Sequence, residues 1–218
     1  MDKVMSVEKA IEQIKDGASI MIGGFGGYGA PHYVIEALIK KNVQNLTLIC
    51  NDTAQPNFGA GRLIRTRQIK KVRASIIGPN PESVQQLLEG YIEVELIPQG
   101  SLAERIRAGG YGLGGVLTKT GLGTEMEEGK QKVVVNGEEY LIEEAIKADF
   151  ALIFASKADR AGNAAYHGSS RAHSPSMAMA AKYTILQVDK LVEVGEIEPD
   201  HVNTQGVLVD AIVVTGGK

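Results

Sequence analysis

With a single cysteine, Cys50, the chain can form no internal disulfide and no cysteine-rich zinc site. Cys50 ends an apolar run, the place of a buried filler residue and not of a nucleophile. The histidines are His32, His167, His173 and His201; none falls in an HExxH spacing, so no metal is implied. Long hydrophobic runs are missing too: nothing approaches the ~20 apolar residues of a membrane helix. The opening MDKVMSVEKAIEQIK lacks a signal-peptide core and sets its charges at helical spacing, so a cytoplasmic protein with no membrane partner is expected. Positive charge is not in excess either. The 23 Lys and Arg against 26 Asp and Glu leave a net charge of -3, which argues against a nucleic-acid partner. At 218 residues the chain is long enough for one sizeable core, and a single domain over 1–218 is expected.

What the chain has in abundance is glycine at one place, DGASIMIGGFGGYGAP from Asp16 to Pro31. The apolar run Ser19 to Ile22 leads straight into Gly23, Gly24, Gly26, Gly27 and Gly29, and Pro31 opens an amphipathic run. This spells strand, glycine loop, helix start. Glycine tolerates φ > 0 and lets a ligand approach the backbone, so a Cβ branch at Gly24 or Gly26 is expected to be damaging. Proline suits the first turn of a helix, whose free N–H groups attract anions, and a phosphate or a developing oxyanion is the expected guest. Gly24, Gly26 and Gly29 also satisfy the G-x-G-x-x-G of dinucleotide folds, and Asp52 stands about 23 residues beyond, near where such folds place an acid. That alternative stays open, as does a non-catalytic binding or regulatory subunit.

The rest of the chain alternates short buried strands with helices. Val7, Ala10, Ile11 and Ile14 form an apolar stripe after a capping Ser6, with Gly17 past its end. A helix up to Lys40 and a strand over Leu46 to Cys50 follow, which puts Asn51 and Asp52 at a strand's carboxyl end. Gly59 to Ile64 reads as helix, Val72 to Ile77 as strand, and Pro81 to Leu88 as helix. The basic run from Arg62 to Arg73 interleaves with Leu63, Ile64, Ile69 and Val72, the pattern of a solvated face and not of a phosphate site. Ile92 to Ile97 alternates as an edge strand would, and Gln99 follows it. Leu102 to Arg107 is helical, and from Gly109 a long glycine-rich loop is expected. Lys132 to Val135 and Glu139 to Ile142 flank Asn136-Gly137, a strong hairpin signal. Phe150 to Ala155, Tyr183 to Val188 and Ile212 to Val214 are further strands, with a helix beginning at Met177. The expected class is α/β: a mostly parallel open sheet flanked by helices, with a β-hairpin insertion.

A longer pattern resembles the signature of family I CoA-transferases at their α subunit: Asp16, Gly17, Ile20, Met21, Ile22, Gly23, Gly24, Phe25, Gly29 and Pro31 all fall in place. The segments LTLICND, NFGAGRLI, GYIEVELIPQGSLAERIRAGG, TGLGTEMEEGK, YLIEEAIKADFALIFASKADRAGN and VEVGEIEPDHV are similar to counterparts in the acetoacetate, butyrate and succinyl-3-oxoacid branch. The resemblance implies CoA transfer between acids, with CoA as co-substrate and no permanently bound cofactor. In such enzymes a glutamate attacks the acyl thioester, giving a mixed anhydride and then a glutamyl-CoA thioester, which the second acid resolves. Each step passes through an oxyanion that amide donors stabilise. The glutamate belongs to a β subunit, and no Ser-Glu-Asn-Gly context is present here. Glu125, Glu127 and Glu128, beside Lys130 and Lys132, read as a solvated turn. The implied partner is that β subunit, in a heterodimer or an α2β2 assembly.

By the same resemblance, Asn51 matches the oxyanion donor and Gln99 the glutamine facing the carboxylate substrate. Gly23, Gly24, Phe25, Gly26, Gly27, Tyr28 and Gly29 are the implied substrate or CoA loop. Two stretches depart from the pattern. GGYGLGGVLTKTG replaces GGAGLGGFLTPTG, altering Tyr111, Val116 and Lys119, and YHGSSRAHSP replaces YxxSARNFNP, altering Ser170, Ala172, His173 and Ser174. Tyr111 is therefore a candidate for the wall of the acyl pocket.

Overall fold

The apolar runs assemble into one twisted sheet in the computed structural model, which describes residues 2–215. In chain order the first half holds α1 (Val7–Ala10), β1 (Ser19–Ile22), α2 (His32–Lys41), β2 (Leu46–Cys50), α3 (Gly61–Arg65), β3 (Ile69–Ala74), α4 (Pro81–Leu88), β4 (Glu93–Leu96) and α5 (Gln99–Gly110). Then come β5 (Gly115–Thr118), β6 (Lys132–Val135), β7 (Glu138–Glu144), β8 (Ala148–Asp159), β9 (Ala164–Ala165), α6 (Ser174–Ala180), β10 (Ala181–Val192) and β11 (Ala211–Val214). The sheet runs β11-β10-β8-β1-β2-β3-β4, all parallel, with β9 antiparallel on β8. Strand order reverses at β1: β2 to β4 build outward on one side, and β8, β10 and β11 on the other. The loops at the carboxyl ends of these central strands are where open α/β sheets place ligands.

The central strands β1, β2 and β8 are buried on both faces, which is why they read as apolar runs. Ile20, Ile22, Leu48 and Cys50 point into one core beneath α1, α2 and α3, while Met21 and Ile49 point into a second beneath α5 and α6. Burial, together with the nearby Asp52, pushes the Cys50 thiol well up, so it is no nucleophile.

Several elements differ from their sequence expectations. The first helix is one turn long, although its stripe is buried through Ile14; Lys41 Nζ donates to the carbonyls of Ile11, Glu12 and Ile14 and takes the place of further helical bonds. β3 begins at Ile69, three residues ahead of the expected Val72. Its basic residues are tied to the neighbouring segment: Lys70 donates to the Tyr91 carbonyl at 2.7 Å, and Arg73 pairs with Glu95 at 2.7 Å. Arg67 likewise meets Glu89 at 2.7 Å, so these three residues of the basic run are spent on structure. The expected glycine-rich loop contains β5, which joins the Asn136-Gly137 hairpin to make a three-stranded antiparallel sheet, β5-β7-β6. Arg105 fastens this sheet to the main one, donating to the Glu144 carbonyl at 2.7 Å and pairing with Glu95 at 3.1 Å and buried Glu143 at 3.3 Å.

At the opposite, amino end, Asp149 ties β8 to β1: it accepts from Ser19 N at 3.0 Å and Ser19 Oγ at 2.7 Å, and pairs with Lys182 at 2.9 Å. Lys182 and these Ser19 donors hold its carboxyl down at about 2, from 3.8. Its folded value is depressed, so its stabilisation is present above pH ~4 and lost as pH falls toward 2. The side chain is 39% exposed, and solvent screening brings the nominal value down to about 1 kcal/mol. Asp149→Asn is expected to lose that amount in urea unfolding at pH 7 and to converge with wild type near pH 2. A constant gap between the two across pH 2–7 would show that the carboxylate's charge is not what matters.

Candidate functional site

The loop after β1 is shaped by a tight turn. Phe25 and Tyr28 exchange backbone hydrogen bonds of 2.9 and 3.0 Å, and the two residues between them, Gly26 and Gly27, have φ of +59° and +86°. Two consecutive positive φ values are those of a type I′ turn, which glycine adopts without strain. Gly24 has φ +100°, and a Cβ there would lie 2.5 Å from the Tyr28 carbonyl oxygen and 2.9 Å from the Ala30 nitrogen. The turn lifts Phe25 and Tyr28 into solvent, 56% and 70% exposed. Tyr28 meets Phe58 edge-on at 5.3 Å, and Phe58 lies 4.4 Å from the His32 ring.

Asp52, at the carboxyl end of β2, braces this loop. Its Oδ2 accepts from Gly26 N at 2.8 Å and Asn51 Nδ2 at 2.9 Å, while Oδ1 accepts from Ala54 N at 2.8 Å. Both oxygens therefore face inward, not toward a ribose as the dinucleotide alternative requires. The helix start is also occupied. Tyr33 N and Val34 N donate to Oε1 of Gln187, a buried side chain of β10, at 2.9 and 3.3 Å. The expected anion site at the start of α2 is corrected accordingly: two of its donors are already satisfied from within the sheet.

Asn51 is 2% exposed, and Gln99 opens α5 in an exposed position; the fold brings the two together through a third residue. His173 Nε2 lies 3.2 Å from Asn51 Oδ1 and 3.4 Å from Gln99 Nε2. Burial lowers the imidazole's pKa, with Asp52 pulling the other way, so the ring is neutral near pH 7. The segment that carries His173 rests on the glycine loop, since a Cβ at Gly29 would meet Ser170 Cα at 2.6 Å and one at Gly23 would meet Ser174 Oγ. One of the two altered stretches therefore belongs to the site.

Tyr111 does not come to this cluster. It caps the far end of α5, a helix of 12 residues and therefore about 18 Å long, with Gln99 at the near end. The ring is 61% exposed and stacks under the Arg107 guanidinium at 5.6 Å. Lys119 of the same stretch pairs with Glu138 at 2.7 Å on the small sheet. Sequence patterns did not mark His173 or Gln187 as site residues. Their partners lie far away in sequence, and the one available signal was the departure of His173 from the family pattern. Among the described residues no group of His, Cys, Asp or Glu could hold a metal ion, and no helix is long and apolar enough to cross a membrane.

Comparison with known proteins places this geometry in a family. The family model described as coenzyme A transferase matches residues 4–215. The α subunit of acetoacetyl-CoA:acetate/butyrate CoA transferase from Clostridium acetobutylicum is 50% identical over 97% of this chain and 97% of its own length. The acetate CoA-transferase α subunit of Escherichia coli K12 is 46% identical over 98% and 97%. Among solved structures, the glutaconate coenzyme A-transferase of Acidaminococcus fermentans superposes with a TM-score of 0.87 at 20% identity, covering 98% of this chain and 75% of that one. An acyl-CoA transferase of E. coli O157:H7, solved as a thioester complex with CoA, gives 0.86 at 24%; the present chain spans 47% of its length. At these identities the structural likeness is one of fold, and the closer relatives carry the assignment: the chain belongs to the coenzyme A transferase family.

Proposed function

We propose that the chain is the α subunit of a heteromeric CoA-transferase. The enzyme would move CoA between an acyl-CoA and a short-chain carboxylic or 3-oxo acid of the acetoacetate, butyrate or acetate type. The observation that carries this is the convergence of Asn51, the glycine loop and, through His173, Gln99 at the carboxyl ends of the strands, beside a carboxylate, Asp52, whose oxygens are already engaged. Donors are thus supplied by this chain and the nucleophilic glutamate by a β subunit, in a cytoplasmic heterodimer or α2β2 assembly. CoA is the co-substrate, and no cofactor stays bound.

Asn51 is the oxyanion donor in this scheme. One hydrogen of its Nδ2 holds Asp52 and fixes the amide; the other is left for the oxygen that gains charge as the thioester or anhydride carbonyl becomes tetrahedral. A donor fixed before the reaction costs no reorganisation during it. Gly23 to Gly29, with Phe25 and Tyr28 at the tip, form the rim against which the acyl-CoA lies, and Gln99 meets the acid's carboxylate.

The test is exchange of CoA between acetoacetyl-CoA and labelled acetate or butyrate, measured on the chain co-purified with its partner. Transfer is expected for the wild type, and Asn51→Ala is expected to lower kcat about 10²-fold with the acyl-CoA KM within a few-fold. Absence of exchange with saturable NAD(H) binding would overturn the transferase assignment, and an unchanged kcat in Asn51→Ala would remove that residue's role.

A further inference from the structure

We propose that His173 is a positioning residue for the oxyanion donor: its Nε2–H is spent on Asn51 Oδ1 and holds the plane of the Asn51 amide, so that the second hydrogen of Nδ2 meets the developing charge. The inference rests on the transferase function above.

An asparagine amide carries two hydrogens on Nδ2 and two lone pairs on Oδ1. Asn51 is 2% exposed, so both atoms depend on partners within the protein. Asp52 Oδ2 takes one hydrogen at 2.9 Å. A single bond at one end of an amide is a pivot: the plane still turns about it, and the free hydrogen turns with the plane. A bond at the other end removes that freedom. Two side chains approach Oδ1, Ser75 Oγ at 3.5 Å and His173 Nε2 at 3.2 Å. Ser75 has one hydroxyl hydrogen, and it goes to the Asn51 main-chain carbonyl at 2.6 Å. His173 is therefore the donor that holds Oδ1. That oxygen can only accept, so Nε2 carries the proton, and Gln99 Nε2 at 3.4 Å is a neighbour and not a partner. The Gln99 amide stays at liberty for the acid's carboxylate.

The bond has an electronic consequence as well. A donor on Oδ1 draws electron density from Nδ2 and strengthens its hydrogens as donors, the one left for the oxyanion included. The ring is placed for this by the backbone around it. The His173 carbonyl accepts from Met177 N at 2.9 Å in the first turn of α6. On either side, Ser170 and Ser174 pack so closely on the glycine loop that Gly29 and Gly23 have no room for a Cβ. The loop at the rim and the donor within it thus share one support. The phenylalanine of the family pattern at this position has a ring and no proton to give, so the link belongs to this chain.

The experiment measures exchange of CoA between acetoacetyl-CoA and labelled acetate by the complex with its partner subunit. His173→Phe installs the residue of the family pattern, and is expected to lower kcat about 10-fold with the acyl-CoA KM within about twofold. His173→Gln offers an N–H at similar reach and is expected to recover kcat to within about threefold of wild type. The deciding arm is the Asn51→Ala background. With no amide to hold, His173→Phe is expected to cost less than about twofold there, because residues that act through one another do not add. An unchanged kcat in His173→Phe overturns the proposal, as does a His173→Gln variant equally slow. The same loss repeated on Asn51→Ala overturns it too, since that is what a ring acting by packing alone would give. A wild-type complex that transfers no CoA overturns the transferase function itself, and shows it before any substitution.

Discussion

Gly24→Val is expected to leave the complex with no measurable transfer, a loss of at least about 10³-fold, while Gly26→Asn keeps most of the activity. From the sequence the two positions are equivalent glycines; in the fold they are not. Gly24 sits at φ +100°, outside the region L residues reach, and its missing Cβ would start 2.5 Å from one backbone atom and 2.9 Å from another. Neither can yield without opening the Phe25–Tyr28 turn and the start of α2 that follows it. Strain of about 1–3 kcal/mol plus the overlap amounts to some 4 kcal/mol at the loop, enough for the expected rate loss if the loop must hold its shape. Gly26 has φ +59°, a conformation asparagine adopts, and nothing lies nearer its missing Cβ than Tyr28 Cδ2 at 4.0 Å. Its N–H to Asp52 would survive. Initial rates of both variants, with melting curves to verify assembly, provide the measurement. Equal activities would mean that the loop's backbone shape does not serve the reaction.

The same contrast explains what a sequence can and cannot disclose. β2 is expected and found at Leu46–Cys50, and α4 at Pro81–Leu88, because a short apolar run or a proline start defines each locally. β3 is displaced by three residues because Lys70, Lys71 and Arg73 look like a solvated face until Tyr91, just ahead of β4, and Glu95, within it, receive Lys70 and Arg73. β5 is hidden among glycines, since its pairing with β7 lies more than twenty residues along the chain. In the site, Asn51 and Gln99 are visible through their strand ends and the family pattern. Gln187 is not: a glutamine in an apolar strand becomes a cap for α2 only when β10 is laid beneath that helix's start. Tyr111 was visible as a departure, yet the length of α5 separates it from the cluster.

The isolated chain is expected to show no CoA transfer, at least 10³-fold below the complex, because it supplies donors without a nucleophile. The carboxylate in the Asn51, Gln99 and His173 cluster is Asp52, and three hydrogen bonds, from Gly26, Asn51 and Ala54, occupy both its oxygens. Attack by Asp52 would require breaking the bonds that shape the loop and hold Asn51. The acids near the second glycine stretch are no better placed. Glu127 pairs with Lys132 at 2.5 Å and accepts from Gly123 N at 2.8 Å, and these contacts lower its pKa while spending its lone pairs at the edge of the small sheet. The exposed Phe25 and Tyr28, raised on the glycine turn that Asp52 braces, suit a surface that a second subunit completes. Activity measured on the purified chain, then on the chain titrated with a β subunit, should rise from background to a plateau at a fixed stoichiometry. Robust turnover by the chain alone, abolished by Glu127→Gln and not by removing the partner, would place the nucleophile in this chain and end the division of labour.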